Sequence, residues 1–150
     1  MKFAFRLDPV LRLRLRDEDT AKKLLGLAVA AEQRERDALQ ALQDDLSTEI
    51  DAQKQARSGE IWAQGQALFL EWSQGQNLNI ARQKLVITEA AAEVEKARIA
   101  LIEARRAVQV LEKLKERRLS QWKLDASRKE QAFASDVAAQ RWMRLHAAAD

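Results

Sequence analysis

The residues best placed to do chemistry in this 150-residue chain are basic side chains that recur along its last third. They are Arg105, Arg106, Lys113, Lys115, Arg117 and Arg118. A patch of one sign can bind an acidic surface, where charge speeds encounter and adjusts affinity. The same residues could instead form a solvated helix face, balanced through i,i+4 pairs with Glu103, Glu112 and Glu116. Lys115 and Arg118 favour the patch, because they fall at a and d positions of the heptad pattern. A charged side chain gains nothing at such a position if the position faces only a second helix.

A second candidate surface is a short repeat within residues 58–79. The run Trp62-Ala63-Gln64-Gly65-Gln66-Ala67-Leu68 recurs ten residues later as Trp72-Ser73-Gln74-Gly75-Gln76-Asn77-Leu78. A thin structure cannot bury several large rings, and exposed aromatic residues concentrate at binding sites. We therefore expect a partner to bind the tip residues Trp62, Leu68, Phe69 and Trp72. The alternative is a hydrophobic plug, which would make Trp62 and Trp72 inaccessible to water.

A third aromatic group lies towards the C-terminal end, at Trp122, Phe133 and Trp142. We expect these rings to pack against the apolar residues of the N-terminus, which are Phe3, Phe5 and Leu7. The alternative is that this end of the chain docks into a partner.

Catalytic chemistry has no support in the sequence. There is no cysteine, no Gly-x-x-x-x-Gly-Lys phosphate loop, and one histidine, His146, near the C-terminal end. No second soft ligand lies near that histidine, so a metal site is not expected. We predict no catalytic residue, no cofactor and no metal ligand, and the chain is not expected to be an enzyme.

The composition favours long helices with few connections. Four glycines and one proline are too few for the many tight turns of a sandwich, barrel or multi-strand sheet. The dominant residue types, Ala, Leu, Glu, Lys, Arg and Gln, are strong helix formers. No signal peptide is recognisable, and the apolar run Leu24–Ala31 is too short to cross a bilayer, so a cytoplasmic location is expected. The net charge of +3 does not by itself indicate a nucleic-acid binder.

The first predicted helix has a recognisable start and a heptad pattern. Asp8 can cap its free N–H groups, and Pro9 suits the first helical position. With position a at Leu11, five of twelve seam residues are charged, which predicts a loosely coiled helix. The a positions are Leu11, Glu18, Leu25, Glu32, Leu39 and Leu46, and the d positions are Arg14, Ala21, Ala28, Glu35, Leu42 and Glu49.

The last third of the chain has a cleaner seam. Its uncharged members at alternating 3- and 4-residue spacing are Ile87, Ala90, Val94, Ala97, Leu101, Ala104, Val108 and Leu111. Such spacing over several heptads indicates a coiled coil, with alanines that let the partner helix approach closely. The apolar line then shifts to Leu114, Leu119, Trp122, Ala126, Phe133, Val137 and Leu145, which indicates a stutter or a straighter helix.

Together these elements predict an all-α fold, a long antiparallel two-helix coiled-coil hairpin with a short irregular or helical tip, which forms a single elongated domain. Arm one covers about 9–57, the tip about 58–79 and arm two about 80–147. Glycines in the tip favour short helical turns with kinks over a continuous helix. Because arm two is longer by some twenty residues, at about 1.5 Å each, we expect its last fifteen or so to fray or be held by something else.

Both ends of the chain resemble the flagellar FliJ family. The opening Met1–Arg14 reads aromatic, x, aromatic, x, Leu, then Val-Leu and arginines, as FliJ proteins do, and Leu7, Val10, Leu11, Arg12 and Arg14 match that pattern. Leu111–Arg118 is similar to the family's C-terminal basic segment, which Lys113, Lys115, Arg117 and Arg118 match. The tail Arg128-Lys129-Glu130-Gln131, followed by Asp136 and Arg141, resembles the usual ending of the family. The tryptophan repeat has no clear counterpart in it.

The resemblance implies a non-enzymatic component of the flagellar type III export apparatus. Family members resemble the coiled-coil stalk of the rotary ATPase γ subunit, bind the hexameric export ATPase FliI, and contact the export-gate protein FlhA through the tip side. Escort of export chaperones is also implied. On this basis Arg12, Arg14, Lys113, Lys115, Arg117 and Arg118 are expected on the ATPase side. The tip residues are expected on the gate side, with membrane association only through partners.

Two other classes of function stay open at this point. The chain could be a cytoplasmic export chaperone, or a chaperone-escort protein, that holds secreted substrates on an exposed helix face. It could also be a basic coiled coil on nucleic acid, whose affinity would fall steeply with salt. The interspersed acidic residues argue against nucleic acid as a partner.

Overall fold

The chain consists of two long α-helices. The computed structural model describes residues 2–56 and 60–148, with the side chains of 60–63 excepted. Helix α1 spans Asp8–Gln55 and helix α2 spans Glu60–Ala147, and the described residues contain no β-strand. The two helices pack against each other, which confirms the predicted all-α hairpin.

The start of α1 lies one residue earlier than predicted. The Asp8 N–H donates to the Phe5 carbonyl at 3.1 Å, and the Leu11 N–H donates to the Leu7 carbonyl at 2.9 Å. Leu7 therefore holds the cap position, Asp8 is the first helical residue and Pro9 the second. Proline is tolerated there because the first four N–H groups of a helix have no partner within it.

The helical residues group into two compact units, one of residues 17–104 and the other of residues 1–16 and 105–150. In the first unit the helices run antiparallel. The Gln76 amide donates to the Leu42 carbonyl at 3.3 Å, and the Gln83 amide donates to the Glu35 carbonyl at 2.8 Å. Residue numbers thus rise along α2 as they fall along α1. The single elongated domain expected from the sequence stays a prediction.

The heptad assigned to α1 corresponds to its packed face in this unit. Ala21 is buried, and the remaining assigned positions from Glu18 to Glu49 are half-buried: Glu18, Leu25, Ala28, Glu32, Glu35, Leu39, Leu42, Leu46 and Glu49. On α2 the predicted seam members Val94 and Leu101 are buried. The carboxylates therefore lie along the contact between the helices, although they are not an obvious choice for a seam.

The tip predicted at residues 58–79 takes a different form from Glu60 onward. Helix α2 is continuous there, so the expectation of short turns with kinks is wrong for residues 60–79. The seam of arm two extends back through this stretch at heptad spacing, with Gln66, Phe69, Ser73, Gln76 and Ile80 buried or half-buried. Packing on α1 thus outweighs the low helix propensity of Gly65 and Gly75.

The second unit combines the N-terminal segment, the start of α1 and the part of α2 from Arg105 onward. Among the residues described in this unit, Phe5, Leu11 and Val108 are buried. The packed positions then follow at spacings of four, four, three and four residues, as Leu111, Lys115, Leu119, Trp122 and Ala126. An extra four-residue step is a stutter, one of the two forms expected.

Beyond Ala126 the helix is almost fully exposed yet intact. Only Val137 is half-buried among residues 127–148, and α2 ends at Ala147. Of the two alternatives expected for this end, fraying is therefore wrong for the residues that the structure describes, and its being held by something else stays a prediction.

Candidate partner-binding surfaces

The basic residues predicted from the two ends of the chain lie in one compact unit. Arg12 and Arg14 come from α1, and Lys113, Lys115, Arg117 and Arg118 come from α2. All are exposed except Lys115, which is half-buried. The N-terminal and C-terminal basic segments, separated by about a hundred positions in sequence, thus belong to the same part of the fold.

Lys115 is held inside this unit by an ion pair. Its Nζ lies 2.9 Å from Asp8 Oδ1 and 5.9 Å from the centre of the Phe5 ring. Arg12 contributes a second ion pair, with Nη2 3.0 Å from Asp8 Oδ2. The hydrogen bond from Lys115 is the main reason that the pKa of Asp8 lies below its ordinary value, and the charges of Lys115 and Arg12 lower it further. Lys115 therefore ties the N-terminal segment to α2.

The remaining cations of α2 in this cluster face solvent. Lys113, Arg117 and Arg118 are exposed, and none forms an ion pair with another described residue. The i,i+4 pairs that Glu112 and Glu116 could make with such neighbours are not formed in the described part of the chain. Three uncompensated positive charges within six residues can attract an acidic partner.

The tip aromatics form a partly open surface. The rings of Phe69 and Trp72 have their centres 6.1 Å apart and border a groove with Glu49, Gln53 and Gly65. Trp72 is 41% exposed and Leu68 is more exposed still. The plug alternative is therefore wrong for Trp72. The Trp62 side chain lies outside the described residues.

The C-terminal aromatics separate into two groups. Trp122 packs on Phe3 with ring centres 6.1 Å apart, which confirms part of the predicted contact with the N-terminus. Phe133 and Trp142 are 71% and 61% exposed, so the prediction is wrong for these two. Phe133 lies eleven residues beyond Trp122, or roughly 16 Å along the helix, and the few residues before α1 do not cover it.

One surface feature was not predicted from the sequence. An apolar groove of about 590 Å³ runs between α1 and α2, lined mainly by small residues that include Ala21, Ala28, Ala97, Ala100 and Ala104. The alanines at d positions of the seam were the available signal, since small residues leave the groove between two helices open.

The described residues contain neither a metal-binding cluster nor a membrane-spanning segment. Across residues 2–56 and 60–148, no three or more His, Asp or Glu side chains are grouped to hold a metal ion. In the same part of the chain, neither helix has a segment long and apolar enough to span a membrane.

Comparison with known proteins identifies the family. The family model described as Flagellar FliJ protein matches residues 1–146. Comparisons with curated proteins and with solved structures found no match. The match covers nearly the whole chain, including both helices and both basic segments. The chain belongs to the FliJ family, whose members are non-catalytic components of the flagellar export apparatus.

Proposed function

We propose that this chain is a stalk that binds the hexameric export ATPase FliI, promotes its activity and links it to the export gate FlhA. Membership of the FliJ family carries the proposal. The two compact units support it, because the basic residues lie in one unit and the tip surface lies in the other, which gives a separate surface for each partner. We further propose that the chain works in the cytoplasm and that its partners in the export apparatus keep it at the inner face of the membrane.

The ATPase would bind the basic unit. Lys113, Arg117 and Arg118 offer exposed charges without ion-pair partners among the described residues, in the unit that also contains Arg12 of α1. Exposed charges give shallow, salt-sensitive contacts. Contacts of that kind suit one asymmetric rod inside a six-fold ring, since no single subunit then holds it permanently.

A turnover assay with the cognate ATPase tests this step. Adding the chain should raise ATP hydrolysis, and the triple variant Lys113→Glu, Arg117→Glu, Arg118→Glu should lose most of that increase because its charges repel an acidic ring surface. The matched control reverses three exposed cations of the other unit, Arg34, Arg82 and Lys84. Unchanged turnover on adding the wild-type chain, together with no co-sedimentation, would refute the proposal.

The gate would bind the tip surface. Leu68 and Trp72 are exposed on α2, and Phe69 supports the Trp72 ring. Truncating Leu68 to alanine should weaken binding of purified FlhA by roughly tenfold, a usual loss for a central apolar contact. Leu85→Ala is the control, because Leu85 is an equally exposed leucine of the same unit. Equal affinities of the two variants would place the gate contact elsewhere.

A chaperone-escort role is favoured by one observation, the alanine-lined groove. An apolar groove between two helices is a surface on which an amphipathic helix can lie. A pull-down that recovers export chaperones or substrates but no ATPase would favour this second function over the stalk.

A further inference from the structure

The exposed end of α2 carries a face that the basic and tip surfaces leave unused. Phe133, Ala134, Val137, Ala138 and Leu145 border one groove on a single side of the helix, in the unit that also contains Trp122. Phe133 and Leu145 are among the most exposed large apolar side chains described. A face of this kind on a soluble helix is a place for another helix to pack.

Two opposite charges bracket the part of this face from Phe133 to Ala138. Glu130, Ala134, Val137 and Arg141 follow one another at spacings of four, three and four residues, which places them in one row on the helix. Glu130 and Arg141 are exposed, and neither forms an ion pair with another described residue. Along the chain, the row therefore consists of a negative side chain, a small one, a larger apolar one and a positive one.

We propose that this face binds a second copy of the chain, with the two α2 ends antiparallel. In a two-fold symmetric antiparallel pair, residues equally distant from the midpoint face each other. With the midpoint between residues 135 and 136, Glu130 of each copy faces Arg141 of the other. Ala134 of each copy likewise faces Val137 of the other, so a small residue meets a larger one. Charge and size are thus complementary in one register.

The alternative arrangement of the same two helices is disfavoured. A parallel pair in register would set Glu130 against Glu130 and Arg141 against Arg141. Like charges facing each other at a helix interface oppose association, and paired opposite charges select both partner and direction. The row from Glu130 to Arg141 therefore distinguishes antiparallel from parallel pairing.

The expected dimer is weak. In this register the shared face covers residues 130–141, about three turns of one helix, well below the roughly 800 Å² per partner of a standard interface. We expect a dissociation constant of roughly 10 to 100 µM, detectable by sedimentation velocity over a concentration series. The proposal is independent of the function proposed above, because it uses neither the basic cluster nor the tip.

Charge reversal tests the register with the full chain. Glu130→Arg and Arg141→Glu should each raise the dissociation constant by at least about tenfold, because both symmetric ion pairs become repulsive. An equimolar mixture of the two variants should associate again. In the mixed pair, the chain that is positive at both positions faces the chain that is negative at both.

The control and the contrary outcomes are defined by the same experiment. Asp136→Arg makes the same change of charge on the opposite side of α2 and should leave self-association unchanged. Circular dichroism verifies that each variant remains helical. A wild-type chain that stays monomeric throughout the series would overturn the proposal and leave the face to a different protein. Variants that associate like wild type, or a mixture that stays monomeric, would also overturn it.

Discussion

The glycines within the helices offer a direct test of the fold. Gly26 lies in α1, and Gly65 and Gly75 lie in the part of α2 where the composition predicted a break. A Cβ atom built at any of the three meets nothing within 4 Å. Alanine therefore adds no clash and no contact, and the change reports backbone preference alone. Gly26→Ala, Gly65→Ala and Gly75→Ala are all expected to stabilise the protein.

The size of the effect follows from helix propensity. Alanine is more favourable than glycine in a helix interior by about 0.8 to 1 kcal/mol. The three sites share no contact at the substituted atom, so their effects should add to about 3 kcal/mol. For a chain of this length, 1 kcal/mol corresponds to a shift of roughly 2 to 4 °C in Tm, so the triple variant should melt about 6 to 12 °C higher.

The assay is thermal unfolding followed by circular dichroism, together with urea unfolding of each single variant. Ala30→Gly is the matched control, because Ala30 is an exposed position of α1 and should lose about as much stability as Gly26→Ala gains. If Gly65 and Gly75 occupied irregular turns, alanine there would be neutral or harmful. A gain at Gly26 without a gain at Gly65 and Gly75 would refute a continuous α2.

Two further predictions concern packing and charge. Val108→Ala should lower the free energy of unfolding by about 1 to 2 kcal/mol, because Val108 is only 4% exposed. Val110→Ala is the control and should change this free energy little, because Val110 is 66% exposed. Equal losses in the two variants, measured by urea unfolding, would contradict the assigned seam. The folded pKa of Asp8 is lowered below the unfolded value of 3.8, so its contribution to stability is present above that pH and declines as the pH falls through the folded pKa. Asp8→Asn should therefore destabilise the protein near neutral pH and lessen the decline of stability below about pH 4, and parallel pH profiles of variant and wild type would contradict the Lys115–Asp8 pair.

The sequence predicted most of the α1 seam, including four of its five charged members; the prediction is wrong for Arg14, which was assigned to a d position and is exposed. Glu18 and Glu32 were assigned to a positions, and their side chains are only 15% and 17% exposed. Lys22 and Arg36, one turn later, lie 3.3 Å and 2.7 Å from these carboxylates, so each charge keeps a partner while its methylene groups are covered. Periodicity was sufficient here because the pairing is local to one helix.

The tip could not be predicted in the same way, because two signals conflict there. Gly65 and Gly75 lower helix propensity, whereas Phe69, Gln76 and Ile80 continue the heptad of arm two. Packing against α1 decides which of the two signals prevails, and helix propensity takes no account of that tertiary contact. For the proposed sites, an antiparallel hairpin is enough to predict that the N-terminal and C-terminal basic segments lie in the same part of the fold. The ion pair between Lys115 and Asp8 depends on how the first turn of α1 lies against α2.

The hydrogen bonds of two glutamines have a mechanical consequence for residues 17–104. Gln76 is buried and donates to the Leu42 carbonyl, and Gln83 donates both to the Glu35 carbonyl and to its carboxylate. Sliding one helix past the other by a heptad would move it roughly 10 Å and leave each amide opposite a different residue. A buried donor without an acceptor costs about 1 to 3 kcal/mol. The two amides therefore resist sliding of one helix along the other, so a force along the axis of one helix in this unit is transmitted to its neighbour.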